Sequence, residues 1–529
     1  MQYYALRILY IFFFCVTGLC SDDKDSNDIT DEFMMKDLQS LDLFDVNGMM
    51  YDQRLSLLGQ TSILQDWTPI RATIGLNDSL TYTFDVNYTS PGLAHSFEVM
   101  VFISAAICEM PDSLEFSSQK NGLSLYYTFE SNVANLSAMN RISFVNGYAE
   151  GLASSDGAEN HRVLYVTIKP DDCESCTLND TWIYELGLSQ SDLVFQYDNN
   201  PIISVADTDF DSAAFSAENL TFRNDSTYTV YLYNRSQYTS LSRLNQSWCA
   251  IANADEYVKQ YPLESSAVVS EKKFFSVTDL QKSTNYTGVL LQTFNTVNYG
   301  GSVYKLFNFS TMGSNACKVI YGLDFCDEVA YAAPASRNLT NGQQTVQELA
   351  SIYDNYTKEL YQQFDYALQQ IPCDAHLDSR YSPIRTCENC RYSYKQWLCS
   401  VTIPRCSSEE QEGYKRYNSS DGRNSFIADT IDPPLSYYEI LPCISMCNAI
   451  VRDCPSDFGF ACPTRDDFLG VSYGVNSDDT SNLTCNYVGN NDMDSDNLEE
   501  QVSTGGAALI SPSFSVRMMY IAAILFYLI

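Results

Sequence analysis

Histidine is nearly missing from this chain. His95, His161 and His376 are its three, far apart in 529 residues, and no HExxH pair occurs; a GxSxG spelling does occur, at Gly470-x-Ser472-x-Gly474, inside the cysteine-rich stretch. Zinc hydrolysis of that kind therefore lacks its starting residues, and a serine nucleophile would have only these three histidines from which to draw its base. Basic side chains are also scarce, 31 Lys and Arg against 66 Asp and Glu for a net charge of −35. That balance excludes nucleic acid and anionic lipid as partners, since both require a positive surface. The interior holds no long apolar run; the best, 97–108, is too short to cross a bilayer and contains Glu98 and Ser104. What is plentiful is core material: 45% hydrophobic residues, 38 Tyr and 28 Phe. Such a chain folds despite its charge, and its length allows about three or four domains.

The two ends read as targeting segments. Residues 1–20 carry Arg7, an apolar run over 8–16, and small residues at Gly18 and Cys20 before an acidic stretch, the order of a cleaved secretory signal. At the other end Ser503, Thr504, Gly505 and Gly506 precede a mixed spacer and the apolar 518–529. Small residues, spacer and terminal apolar tail match a GPI-anchor signal with Gly505 as the attachment site; a single tail helix is the other reading, broken by Pro512 and Arg517. Either places the body outside the cell, on the face of the plasma membrane, reached through the endoplasmic reticulum. Fourteen Asn-X-Ser/Thr sequons agree: Asn77, Asn87, Asn135, Asn179, Asn219, Asn224, Asn234, Asn245, Asn285, Asn308, Asn338, Asn355, Asn418 and Asn482. A protein-binding face belongs where they are sparse, as between Asn355 and Asn418.

Between the ends the pattern changes twice. Residues 21–60 form an acidic leader. From about 61 to 340 the period is 2: Leu80, Tyr82, Phe84 and Val86 share one strand face, as do Leu164, Val166 and Ile168, and Tyr228, Val230 and Leu232. Six or more such Tyr/Phe/Thr-rich runs predict a β-rich glycosylated region of one or two antiparallel sandwiches. At Thr345 the spacing becomes three or four, through Val346, Leu349, Tyr353, Tyr356, Leu360, Phe364, Leu368 and Ile371, and Thr345-x-x-Glu348 is a capping box. A helix over 341–372 follows, then a cysteine-rich block over 373–488, an acidic stalk over 489–505 and the anchor signal over 506–529. Within the stalk, Asp492-x-Asp494-x-Asp496 begins like an EF-hand loop but has Asn497 for the turn glycine and Ser503 for the bidentate Glu, so no metal ligand is assigned.

Without Cys15 and Cys20 of the signal segment, the remaining cysteines are even in number, which in an oxidising compartment means disulfides. Six lie in the β region. Cys373, Cys387, Cys390, Cys399, Cys406, Cys443, Cys447, Cys454, Cys462 and Cys485 lie beyond it, with connectivity not readable from spacing. The two CxxC pairs, Cys173/Cys176 and Cys387/Cys390, are read as structural bridges over zinc ligands or redox pairs. Cys443, Cys447 and Cys454 fall at roughly 0°, 40° and 20° on a helical wheel, which predicts three sulfurs on one helix face. No catalytic residue and no cofactor is assigned. An acid/base glycosidase would need two carboxylates, and none stands out.

The segments CENCRYSYKQWLCSVTIPRC (387–406) and LPCISMCNAIVRDCPSDFGFACP (441–463) resemble the stretch-activated calcium-channel component of fungi, the mating-induced-death protein family. Cys387, Cys390, Tyr394, Lys395, Trp397, Leu398, Cys399, Ile403, Pro404, Arg405 and Cys406 match its first signature. Pro442, Cys443, Cys447, Cys454, Pro455, Phe458, Gly459, Phe460, Cys462 and Pro463 match its second. The resemblance implies a helical, frizzled-like cysteine domain in an accessory subunit that pairs with a separate four-repeat, voltage-gated-type calcium-channel pore protein. It also implies calcium entry during mating-pheromone response, membrane stretch or secretory stress. The family has also been regarded as a stretch-gated cation channel in its own right, and composition alone fits a GPI-anchored adhesion glycoprotein equally well. For docking onto a pore subunit, exposed aromatics and arginines are natural anchors, and Tyr394, Trp397, Arg405 and Arg452 are the candidates. Pro433 and Pro434 with Tyr437 and Tyr438 offer a rigid exposed alternative.

Overall fold

The computed structural model describes residues 62–489 except 88–98, 115–119, 156–161, 174, 218–225, 237, 239–240, 255–256, 264–272, 295–299, 373–374, 377–379, 420–421 and 477–482. The signal segment, acidic leader, Cys373, Asn219, Asn224, Asn482, the Asp492 motif, Gly505 and the tail lie outside the described residues.

The alternating runs form strands whose apolar faces are buried. Tyr82 and Phe84 in Leu80–Asp85, and Leu164, Val166 and Ile168 in Val163–Pro170, all lie in one core with Trp182, Tyr184, Leu186 and Leu188 of Thr181–Ser189. These belong to a nine-stranded sheet in the order Ser62–Leu64, Leu80–Asp85, Val163–Pro170, Lys120–Thr128, Asn140–Val145, Tyr148–Ser155, Val99–Glu109, Thr181–Ser189, Ile70–Gly75. Its two outermost strands are consecutive in the chain. A flat sheet would hold them roughly 38 Å apart at ~4.8 Å per strand, whereas the link from Leu64 to Ile70 spans at most about 20 Å. The sheet must therefore curl almost into a barrel, and the Tyr82 and Tyr184 hydroxyls meet across its interior at 2.8 Å. Asn146 and Gly147 turn one hairpin with φ of 51° and 84°, the left-handed pair a two-residue turn requires.

Strand Phe195–Asp198 leaves this sheet and pairs in parallel with Gly301–Tyr304. It opens a six-stranded sheet that continues through Asn285–Phe294, Ser226–Asn234 and Lys259–Leu263, with Phe307–Ser310 also on Asn285–Phe294. A three-stranded sheet, Ile203–Thr208, Ala213–Ala217 and Lys273–Val277, shares its core, centred on Phe215 with Phe275, Phe307 and Phe309 each 5.4 Å away. Gly301 has no room for a side chain: a Cβ there would sit 1.8 Å from the Gln292 carbonyl oxygen. The β-rich expectation is thus met, but with a curled nine-stranded sheet in the first half and, among the described residues, two parallel strand pairings, Ser62–Leu64 with Leu80–Asp85 being the other.

Past Ser310 the chain makes one more hairpin, Cys317–Ile320 with Tyr331–Pro334, and turns helical. The capping box forms as expected. Thr345 Oγ1 accepts from the Glu348 N–H at 3.2 Å, and the Glu348 carboxylate accepts from the Thr345 N–H at 2.7 Å. In the helix Val346–Leu368, Leu349, Tyr353, Phe364 and Leu368 are buried, but Leu360 is 40% exposed and Ile371 lies beyond the last turn. Among the described residues no helix is long and apolar enough to cross a membrane.

Candidate partner-docking region

Two short helices organise the cysteine-rich block. Cys387–Thr402 opens on a capping box between Thr386 and Asn389. Cys390 and Cys399 stand nine residues apart on it, two and a half turns, so their sulfurs leave from opposite sides. Cys390 bonds Cys454 on one side, and Cys399 bonds Cys326 on the other. The second helix, Ile444–Asp453, is shorter than the wheel assumed. Cys443 and Cys454 are its cap residues and only Cys447 lies within it, so the three sulfurs go to three places: Cys485, Cys390 and Cys462.

The ten distal cysteines do not close among themselves. Cys399 and Cys406 reach back to Cys326 and Cys317, so two bridges straddle residue 340 and fasten the hairpin 317–334 to the helices. Cys173 and Cys176 bond each other, whereas Cys387 and Cys390 do not; Cys387 is in a disulfide whose other half lies outside the described residues. The remaining β-region bridge joins Cys108 to Cys249. Glu185 lies within 4.8 Å of both those sulfurs, but sulfurs spent in a disulfide hold no metal.

The four anchor candidates are engaged within the chain. Tyr394 stacks on Phe364 at 3.6 Å between ring centres, beside Phe458, Phe460 and Trp397. Trp397 is half-buried and donates its indole N–H to the Tyr473 hydroxyl at 2.9 Å. Arg405 donates to the Asp207 carboxylate and the Ala206 carbonyl, both at 2.8 Å, with its guanidinium 5.4 Å from the Tyr331 ring centre. Arg452 grips Asp453 with two nitrogens at 2.8 and 2.9 Å. Tyr437, expected on an exposed loop, is instead a core residue 2% exposed, because strand Tyr437–Ile440 pairs on both sides with Arg405–Ser407 and Lys415–Tyr417.

The side chains that hold this region together went unnoticed in the sequence because each is an acid among 66. Buried Asp453 takes Arg452, Arg385 at 3.2 Å and the Ser393 hydroxyl. Asp354, on the long helix, accepts the Phe325 and Cys326 N–H groups at 2.9 and 2.8 Å. Glu439, 1% exposed, is held by Arg423 through both oxygens at 2.8 and 2.9 Å. One signal was available. From Arg380 through Arg465, both included, there are ten basic and ten acidic residues, so the entire net charge of −35 lies elsewhere. Ile384 and Val451 are 70% and 46% exposed on this neutral stretch, and Phe468 and Val471 follow it at 59% and 56%. Of the eleven described sequon asparagines none is buried.

One buried carboxylate gives a pH signature. Burial beneath the Cys108–Cys249 bridge raises the Glu185 pKa to about 7, against the opposing pull of Arg71 at 3.7 Å. Because the folded value lies above the unfolded one, the protonated form is favoured, and stability is lost as pH rises from about 4.5 to about 7, on the order of 2–3 kcal/mol. Glu185→Gln should therefore raise the melting temperature at pH 8 and leave it unchanged near pH 4. Thermal unfolding of both proteins at several pH values is the check, and a pH-independent gain would refute the assignment.

The profile of the family described as "Stretch-activated Ca2+-permeable channel component" matches residues 100–491, and the chain belongs to that family, Mid1. It is 33% identical over 546 residues to the stretch-activated cation channel MID1 of Saccharomyces cerevisiae, covering 92% of this chain and 97% of that one. It is 34% identical over 322 residues to the stretch-activated cation channel yam8 of Schizosaccharomyces pombe, covering 59% and 65%.

Proposed function

We propose that this chain is the extracellular accessory subunit of a plasma-membrane calcium channel. It is glycosylated, held by a C-terminal lipid anchor, and assembled with a separate four-repeat pore protein, and it supports calcium influx in response to mating pheromone, membrane stretch or secretory stress. The observation that carries this reading is the family match across nearly the whole described body. All fifteen described cysteines are in disulfides, which fits an oxidising compartment. The docking face is the neutral, sequon-poor stretch around 380–465, where apolar side chains are exposed and the repulsion of an acidic surface is absent. Its action is assembly and gating control, without catalysis.

The test is purification of the tagged protein from mild-detergent membranes, with mass spectrometry of what accompanies it and release by phosphatidylinositol-specific lipase on the same sample. A stoichiometric four-repeat channel subunit is expected, and release into the soluble fraction. Recovery of the protein alone would sink the accessory role. The relatives' names favour a second reading, a cation channel in its own right. It requires stretch-gated current from the purified protein in liposomes.

A further inference from the structure

The Cys108–Cys249 bridge is the one disulfide among the described residues with a carboxylate this near to both sulfurs. The two sulfurs and a Glu185 oxygen all lie within 4.8 Å of one another, and all three residues are buried. Three elements bring them together. Cys108 sits on a bulge of Val99–Glu109, where the register against Thr181–Ser189 shifts between Ile107 and Glu109, and a bulge re-aims a side chain. Glu185 comes from that facing strand, opposite Ala106, and Cys249 from the helix Trp248–Ala252. One Glu185 oxygen faces Arg71 of Ile70–Gly75 at 3.7 Å; the other, Oε2, is buried without a hydrogen-bond partner among the described residues. Arg71 is shared with Glu109 at 3.9 Å, and the helix brings no charged side chain.

One half-exposed arginine does not offset the cost of burying a carboxylate, so packing alone does not account for Glu185. The way the bridge forms does. Its cysteines are 141 residues apart and meet only once the strands and the helix have docked. That docking has contacts of its own: the Ser247 hydroxyl donates to the Ile107 carbonyl at 2.7 Å, and the Gln246 N–H to the Asn146 carbonyl at 3.0 Å. The sulfur–sulfur bond therefore closes inside a formed, buried site. The thiolate is the nucleophile in such a closure, and burial opposes its formation by raising the thiol pKa. We infer that Glu185 takes the proton of Cys249 as this bridge closes and returns it when the bridge is reduced. Cys108, 7% exposed, is the sulfur that a disulfide oxidant reaches and carries the mixed disulfide, whereas Cys249 is 0% exposed. As the Cys249 proton passes to the Glu185 carboxylate, the Cys249 sulfur attacks that of Cys108, and the oxidant's sulfur leaves with the bonding pair as a thiolate. Two cysteine thiols are oxidised and one oxidant disulfide is reduced. The negative charge beside Arg71 passes from carboxylate to sulfur and departs with the leaving group, so the site never holds two. A carboxyl pKa of about 7 suits a group that accepts a thiol proton at neutral pH. This inference is independent of the channel reading.

The full chain is translated into permeabilised microsomes under dithiothreitol, then oxidised with glutathione disulfide at about pH 7 or about pH 9.5. Thiols are trapped by alkylation at successive times, and mass spectrometry follows Cys108–Cys249 beside Cys326–Cys399, which has no such carboxylate. At the lower pH, Glu185→Gln should close Cys108–Cys249 at least tenfold more slowly than the wild type, and Cys326–Cys399 at the wild-type rate. At the higher pH, above the usual thiol pKa of about 8.5, the gap should narrow. Glutamine keeps the shape and removes the basicity, so a delay confined to one bridge is not a folding defect. Equal rates for Cys108–Cys249 in the two proteins at the lower pH, an equal delay of both bridges, or a gap as wide at the higher pH would each overturn the proposal.

Discussion

Cys399→Ser should fail to reach the cell surface. The variant removes a fully buried bridge that closes a separation of 73 residues and leaves Cys326, 1% exposed, as a free thiol in the same core. The chain-entropy argument puts the loss at about 4 kcal/mol, a large share of the roughly 5–15 kcal/mol available to a folded domain. The Cys173→Ser/Cys176→Ser double variant is the internal control. Its bridge closes a separation of three residues on a partly exposed loop, for which the same argument gives only about 2 kcal/mol. Surface labelling of both variants, with their sensitivity to endoglycosidase, gives the answer: retention of Cys399→Ser and delivery of the double variant. Normal surface levels of Cys399→Ser would show that the bridge is dispensable.

Arg405→Ala should destabilise the protein by about 3 kcal/mol, because it leaves the largely buried Asp207 carboxylate without its cation and the Ala206 carbonyl without its donor. Arg405→Lys should not restore the loss, since one ammonium cannot span both acceptors while lying over the Tyr331 ring. Equilibrium unfolding in denaturant measures the effect. A loss below about 1 kcal/mol, combined with weaker capture of the proposed pore subunit, would instead make Arg405 a contact residue of the kind its conspicuous position in the motif suggests.

Arg405 also shows where sequence reading stops. Its partner lies 198 residues upstream, and no local pattern ties the two. The same holds for Asp209, which binds Lys318 at 3.3 Å and the Val319 N–H at 2.8 Å to seat the hairpin on the three-stranded sheet. Local features were legible because their cause is local. The Thr345 cap needs only the residue three positions on, and the buried faces at Leu164, Val166 and Ile168 need only alternation. The closure of the nine-stranded sheet depends on registers set across the whole region, and periodicity carries no register. The anchor candidates were chosen for residue type, yet type alone does not distinguish a Trp that offers its face to a partner from one that, like Trp397, packs against two neighbouring cores of its own chain.

The disulfide pattern also determines how the molecule would bear load. A pull on the chain beyond Cys485 passes through Cys443, along the helix Ile444–Asp453 to Cys454, across to Cys390, along the helix Cys387–Thr402 to Cys406, and out through Cys317 to the β-sheets. This covalent route is shorter than the alternative through 407–442, so that loop stays slack, as does everything between Cys326 and Cys390, the long helix included. Tension is carried by two pinned helices and three sulfur bridges, and while these hold, no slack segment can be drawn out. From Cys485 to the sheets, the cysteine-rich block is therefore a stiff link, one that passes on a displacement without absorbing it.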